Sequence, residues 1–450
     1  MLLLVFLIGI LFRLLALNFH DFWFDEAITY HFARLPVKNL LEVVLADNNP
    51  PLYYLLIHYL VKISPDELIL RLPSLLANLL SILALYHFVK TKIDKRVATV
   101  SASLFAVSPL SIYLATEARL HSLALLFVTL IINSFFKLLT KPSPVNIAIF
   151  IFFTTLGLYT QYYIILLLLP LTYIIYSTKN HLTFGKWLTI ASIPLLTLVP
   201  WLILSTQTPH SGCWCPNTLL SLPASLVAPT IAGVGNVTMR TFPNLPPAIF
   251  ALFLTTSLLT FVMFVKGIPK SKVLPAIYLI PLAALSTAGL FFPVFSPKAF
   301  SITSPIYFII VSLGITSFSK KYLGPLIFLL LTLISAILIT NPFFRGEKLK
   351  EASEITSQRS AKIIAHTSIL TYYPFRYYLP EHRKNIMLTA NPLTEKTVNL
   401  IGGQKESAGN LNDFWLVEKR GSEYTLDNFT QAEIFAIGDI SVKFMVGKSK

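Results

Sequence analysis

Apolar stretches of roughly 20 residues recur along this chain, the length a helix needs to cross the ~30 Å hydrocarbon core of a bilayer. They can be drawn at 1–19, 73–89, 97–116, 120–138, 145–160, 161–178, 187–205, 246–265, 273–293, 299–317 and 325–341. Lipid offers backbone N–H and C=O groups no partner, so such runs must close their hydrogen bonds internally, as helices or as a closed barrel. They are too long to be the ~10-residue alternating strands of a barrel. Only 13% of the 450 residues are charged, about half the share of a soluble globular chain, and the mean hydropathy is +0.68. The expected fold class is therefore an all-α polytopic membrane protein with about eleven transmembrane helices.

The formal charge of +15 sits mostly in short loops, which favours a positive-inside bias over nucleic-acid binding. With a cytoplasmic amino terminus, loops 91–96, 137–144, 179–186, 266–272 and 317–324 fall inside, each with at least two Lys or Arg. Residues 20–72, 117–119, 206–245, 294–298 and everything beyond 342 then lie outside. Residues 1–19 read as a retained first helix, because Arg13 interrupts the apolar core and no small-x-small cleavage site follows.

The first outer loop, 20–72, is long for a bundle connection. EAITYHFARL and VKNLLEVVLA read as short amphipathic helices separated by Pro36. PLYYLLIHYLVKI (51–63) spans only about 20 Å as a helix, so it is expected to lie at the membrane interface. Loop 206–245 reads as a flap over the same face and contains the only cysteines, Cys213 and Cys215, too few for a disulfide framework. The expected division is a membrane domain, 1–341, and a small extracytoplasmic α/β domain, 342–450. In the second, EKLKEASEITSQRSAKII reads as helix and 434–446 as a hairpin turning at Gly438–Asp439. TYYPFRYY (371–378) reads as a packed aromatic helix before a carbohydrate-stacking surface. The absence of a phosphate-binding glycine loop argues against a nucleotide-sugar domain.

Four polar clusters fall on the outer side: Asp25–Glu26, Asp47, Glu117 with Arg119, and Lys298. Each has a purely structural reading: acids at a helix start complement its dipole, Asp47 caps a turn before proline, Glu117 and Arg119 form a rim ion pair, and Lys298 snorkels to headgroups. Arg13 reads as packing against a neighbouring helix. Taken together, carboxylates and cations at the ends of separate helices suit a general base that deprotonates an acceptor hydroxyl while cations hold a phosphate leaving group. The proximity of Asp25 and Glu26 is expected to raise the basicity of one of them.

At these residues the chain resembles the GT-C superfamily of membrane glycosyltransferases, in its protein O-mannosyltransferase-like, polyprenyl-phosphate-mannose-dependent branch. The pattern runs DEA (25–27), D-x-x-P-P-L-Y-Y (47–54), R-L-P-S (71–74), then S-P and E-A-R (108–119). The resemblance covers roughly 1–341 and implies a GT-C fold. It also implies inverting transfer of a sugar, a mannose-like hexose first, from a polyprenyl-phosphate carrier to a hydroxyl acceptor at the outer face. By the same resemblance Asp25 is the catalytic base and Glu26 its partner in holding the acceptor. Asp47, Glu117, Arg119 and His121 line the substrate site, and Lys298 meets the lipid phosphate. Three positions depart from the pattern: Asn49 where relatives have His, His121 where Tyr is usual, and Lys298 for the commoner Arg, without its bidentate fork.

No cofactor is expected, since no loop offers a convincing metal-ligand set. The expected partners are the lipid-linked donor, a protein, lipid or glycan acceptor and membrane lipids, with no nucleic acid. The expected location is the plasma membrane, multi-pass, with an extracytoplasmic site. Two alternatives stand beside this reading. One is an amino-sugar or pentose transferase acting on lipid or glycan. The other is a transporter or flippase of lipid-linked glycans, which would place its ionisable groups near the midplane in repeated halves.

Overall fold

The computed structural model describes residues 2–47, 49–178, 182–208, 229, 245–292, 300–318, 322–341, 347–358, 361–379, 383–388, 404–405, 411, 413–419, 426 and 428–447. Cys213, Cys215, Lys298 and most of the 206–245 loop lie outside the described residues.

The chain begins with α1 (Leu2–Ala16). The outer loop then folds into α2 (Phe24–Ala33), α3 (Val37–Ala46) and α4 (Leu52–Val61). Pro36 separates α2 from α3 and Pro51 precedes α4, as fixed-φ residues at helix starts should. The bundle continues as α5 (Glu67–Lys92), α6 (Lys95–Ala106), α7 (Pro109–Ala115), α8 (His121–Thr140), α9 (Pro144–Leu158), a 3-10 turn at Tyr162–Leu167, α10 (Leu168–Ser177), α11 (Phe184–Thr206), α12 (Pro247–Gly267), α13 (Leu274–Phe291), α14 (Ser304–Thr316) and α15 (Leu323–Thr340).

Every predicted span is helical, but not every one reaches full length. Among the described residues six helices are individually long and apolar enough to cross a bilayer, and α6 with α7 makes a seventh, bent by 60°. The bend falls at Ser108–Pro109, where proline removes a ladder bond. The carbonyl of Val107 accepts instead from Ser335 Oγ of α15 at 2.7 Å, so the break is sealed inside protein. Leu3, Leu7, Leu11 and Leu14 of α1 are exposed, as a lipid-facing stripe requires.

Two features lock the helices to one another. Arg13 is fully buried in α1 and donates to Gly9 O and Ala106 O (both 2.8 Å), Asn78 Oδ1 (2.7 Å) and Ser111 Oγ (2.8 Å). It thereby joins α1, α5, α6 and α7, in line with its reading as a packing residue. Gly267 of α12 and Gly314 of α14 let two backbones meet: a Cβ on Gly314 would lie 1.9 Å from Met263 O, and one on Gly267 1.9 Å from Ile310 O. Small residues permit this approach between apolar helices.

Helix α5 starts earlier than Pro73 suggests. It begins at Glu67 and carries the proline inside it. The ring sits within the helix's second turn, where few bonds are lost, so Arg71 is on a helix and points into the bundle, fully buried.

Beyond the bundle lies a six-stranded sheet of β1 (Ile363–His366), β2 (Lys384–Met387), β3 (Gln404–Lys405), β4 (Phe414–Lys419), β5 (Phe429–Ile437) and β6 (Ile440–Gly447), in the order β3-β2-β1-β4-β6-β5. The pairs β1/β2, β1/β4 and β2/β3 are parallel, and β4/β6 and β5/β6 antiparallel. The hairpin turns at Gly438, whose φ of 62° favours glycine. The predicted long helix over 347–364 is shorter: α16 (Leu349–Ile355) and a 3-10 turn (356–358) give way to β1, since Ile363–Ile364 belong to a buried parallel strand. The aromatic segment forms α17 (Ile369–Tyr378). Tyr372 and Tyr373 join the buried core of the bundle, so α17 seats the sheet domain on the membrane part.

Candidate active site

The site gathers around the first turn of α2, at the end of the bundle that carries α2–α4. Residues 25 and 26 are adjacent, so their side chains project about 100° apart around the helix. Their environments differ accordingly.

Glu26 points into the bundle and is 0% exposed. Its Oε1 accepts from Arg71 Nε (2.8 Å) and from the Ala118 N–H (2.7 Å). Its Oε2 accepts from Arg71 Nη2 (2.9 Å) and, more weakly, the Trp23 N–H (3.4 Å). Burial alone would raise this carboxyl. The charge and hydrogen bonds of Arg71, with His20 and the Ala118 N–H, outweigh it and hold Glu26 below the usual carboxylate range. The expected mutual crowding of the two acids therefore does not govern Glu26, because a cation stands between that carboxylate and the consequence. Arg71 is itself saturated: Nη1 donates to Leu17 O at 2.6 Å and lies 3.4 Å from Glu67 Oε2, and the guanidinium covers the Phe22 ring at 5.6 Å.

Asp25 faces the other way, with its side chain 29% exposed. Its carboxylate Oδ2 lies 3.9 Å from Arg119 Nε, wider than a hydrogen bond. Arg119 comes from the tight turn between α7 and α8, where its N–H donates to Glu117 O at 2.8 Å. Its Nη1 donates to Thr29 Oγ1 (3.1 Å), Tyr54 Oη (3.3 Å) and Asp25 O (3.4 Å), and its carbonyl accepts from Ser74 Oγ at 2.9 Å. Arg119 Nε has no hydrogen-bond partner among the described residues. Burial disfavours the Arg119 cation, but Tyr54, Asp25 and Asp47 more than offset this and hold it protonated.

Asp47 follows the last turn of α3. Its Oδ2 accepts from Tyr54 Oη (2.5 Å) and Asn49 Nδ2 (3.0 Å). Tyr54 thus relays Asp47 to Arg119, and Arg119 reaches Asp25. Glu117 is fully buried and shares a side-chain hydrogen bond with Tyr113. His121 is buried as the first residue of α8. The structure therefore brings Asp25 beside Arg119 and links Asp47 to it through Tyr54, sets Glu26 behind them on Arg71, and seats Glu117 and His121 in the same turn region. Lys298 lies outside the described residues.

Arg71, Tyr54 and Thr29 are contributors that the sequence reading did not assign. Arg71 and Tyr54 stand inside the quoted R-L-P-S and P-P-L-Y-Y patterns, so an arginine next to an apolar span was the available signal. Among the described residues no group of three or more His, Cys, Asp or Glu gathers closely enough to hold a metal ion.

The family described as dolichyl-phosphate-mannose-protein mannosyltransferase matches residues 48–204. That span includes Tyr54, Arg71, Glu117, Arg119 and His121 and stops short of Asp25, Glu26, Asp47 and Lys298. Comparison with curated proteins gave no match. In solved structures the chain is similar to ArnT from Cupriavidus metallidurans bound to undecaprenyl phosphate, with a TM-score of 0.63 and 11% identity over 98% of this chain and 97% of that one. The apo state of the same protein gives 0.62 and 12%, with 99% of both chains covered. The apo oligosaccharyltransferase of Archaeoglobus fulgidus gives 0.51 and 11% over 93% of this chain and 69% of that one. The chain thus shares the fold of ArnT along nearly the whole length of both chains, and with the family match over 48–204 this makes it a multi-helix membrane protein of GT-C fold.

Proposed function

We propose that the protein transfers a sugar, with inversion, from a polyprenyl-phosphate carrier to an acceptor hydroxyl at the extracytoplasmic face of the plasma membrane. The observation that carries this reading is the part-exposed carboxylate of Asp25 opposite a buried, unsaturated Arg119 N–H at 3.9 Å. The acceptor O–H gives its proton to Asp25, its oxygen attacks the anomeric carbon, and the bond from that carbon to the phosphate oxygen breaks. The carrier leaves as polyprenyl phosphate, and positive charge supplied by Arg119 and Lys298 favours the transition state as that negative charge grows. Glu26 holds the first turn of α2 in place through Arg71. Asp47, Glu117 and His121 line the sugar and acceptor side. The undecaprenyl phosphate in the ArnT structure supports a lipid phosphate as the leaving group. The reading assigns no metal, because arginine and lysine supply the charge, and chelation should leave transfer intact.

A mannose-like hexose is favoured by the family match. An amino sugar or pentose passed to lipid or glycan is the second reading. A transporter is disfavoured, since the charged network sits at the bundle end and not at the midplane. The test is a panel of radiolabelled polyprenyl-phosphate sugars offered to purified protein in detergent. One donor should be consumed, with slow hydrolysis even when acceptor is withheld. Every donor remaining intact would remove the reading.

A further inference from the structure

One hydroxyl of the sheet domain bridges the two segments that set the start of α2. Tyr378, the last residue of α17, accepts from the Phe22 N–H at 2.6 Å and donates to Glu67 Oε1 at 2.9 Å. The directions are fixed, because a backbone N–H can only donate and the phenol has a single proton. Phe22 lies three residues before Asp25, and Glu67 lies four before Arg71, which its Oε2 approaches at 3.4 Å. Tyr378 therefore touches both arms that set the start of α2: the backbone leading into it and the acid behind the arginine that grips Glu26.

The rest of the junction leads to the same place. Tyr377 stacks on Phe22 at 4.4 Å and meets Tyr30 edge-on at 4.8 Å. Tyr373 lies 5.8 Å from Phe24, and its carbonyl accepts from His31 Nε2 at 3.0 Å. Asp21 Oδ2 accepts the Lys350 N–H of α16 at 2.9 Å. The segment from 21 to 24 is held between the sheet domain on one side and Arg71 on the other, and Asp25 follows it immediately.

We infer that Tyr378 is a positioning residue for Asp25, so that the terminal domain sets the base's distance to Arg119. This rests on the proposed transfer reaction. A general base misplaced by about 1 Å loses up to about a hundredfold in rate, whereas neither hydrogen bond of the Tyr378 hydroxyl goes to Arg119. Tyr378→Phe keeps the ring and deletes only the hydroxyl. Tyr377→Phe is the control, because its hydroxyl donates to Pro65 O (2.8 Å) and touches neither Phe22 N nor Glu67.

The full-length variants would be compared for kcat, donor KM and amide hydrogen exchange over residues 20–26. Tyr378→Phe should lower kcat by about tenfold or more with donor KM unchanged, and should speed exchange over 20–26 alone. Tyr377→Phe should do neither. Unchanged exchange or unchanged kcat in Tyr378→Phe, or equal losses in both variants, overturns the inference while wild-type transfer still stands. A wild-type protein inactive with every donor is a separate result, which overturns the functional reading and this inference with it.

Discussion

The two acids at the start of α2 share a helix turn and almost nothing else. Glu26 is sealed, with two N–H groups of one guanidinium and two backbone N–H groups filling its lone pairs. Asp25 is part-exposed and stands beside a cation that it does not fully engage. The first arrangement is the one that stabilises a fold, and the second is the one that can still accept a proton. A buried ion pair contributes little over apolar packing, yet removing one partner is severe because the other charge is stranded. The contrast separates the residue that holds the site from the residue that can react.

The largest effect should come from breaking the sealed pair. Arg71→Ala strands Glu26 in a dry site, at a cost of about 3–5 kcal/mol. The variant should be recovered poorly and melt well below wild type in detergent. A melt equal to wild type would show that the pair is not structural. Asp25→Asn should do the reverse. It removes the proton acceptor while keeping shape, so transfer should fall by about a hundredfold to ten-thousandfold with little change in thermal unfolding. If instead the two variants lose stability and activity in equal proportion, the division between them fails.

The amino-acid sequence displays one half of this contrast better than the other. The outer-loop helices were legible because Pro36 and Pro51 mark their starts, and the hairpin because Gly438 supplies its turn. The polar clusters were legible as charges at helix ends. That Glu26 and Asp25 face apart was not, because the partner of Glu26 is Arg71, 45 residues away, on a helix whose start Pro73 obscured. The docking of α17 on α2 is more hidden still. His31 and Tyr373 are 342 residues apart, and a local pattern of tyrosines says only that they pack, not against what. Local chemistry sets elements, whereas pairings between distant elements depend on packing that no short window contains.

Acid should act on the junction before it acts on the sealed pair. Burial pushes the His31 imidazole down to about 3, helped by Arg376 and Arg34 and opposed by the hydrogen bond to Tyr373 O. Burial likewise lowers His366 to about 4, against its hydrogen bond with Asn385. An unfolded histidine titrates near 6.5, so the stability tied to neutral imidazoles is complete above that pH. It falls as pH drops from about 6.5 towards these lowered values, because the unfolded state then binds more protons. Glu26 has the same sign but a lower window, being lost only as pH falls beneath the carboxylate range. Thermal unfolding between pH 7.5 and 5 should therefore decline, and His31→Gln should flatten part of the decline. An unchanged slope in that variant would detach His31 from the effect.

The smallest effect should come from the outer network's middle member. Tyr54 stands between Asp47 and Arg119, donating to the first and accepting from the second. Tyr54→Phe deletes one hydroxyl and leaves Asp47 with Asn49 and Arg119 with Thr29, so each retains a partner. A hydrogen bond to a partner that stays partly satisfied is worth about 0.5–1.5 kcal/mol, which corresponds to a twofold to tenfold drop in kcat/KM. The loss should be far less than that of Asp25→Asn, since the base and its cation are both still present. If Tyr54→Phe matched Asp25→Asn, the outer network would have to be a single cooperative unit like the sealed one, and the difference between the two acids would reduce to their exposure.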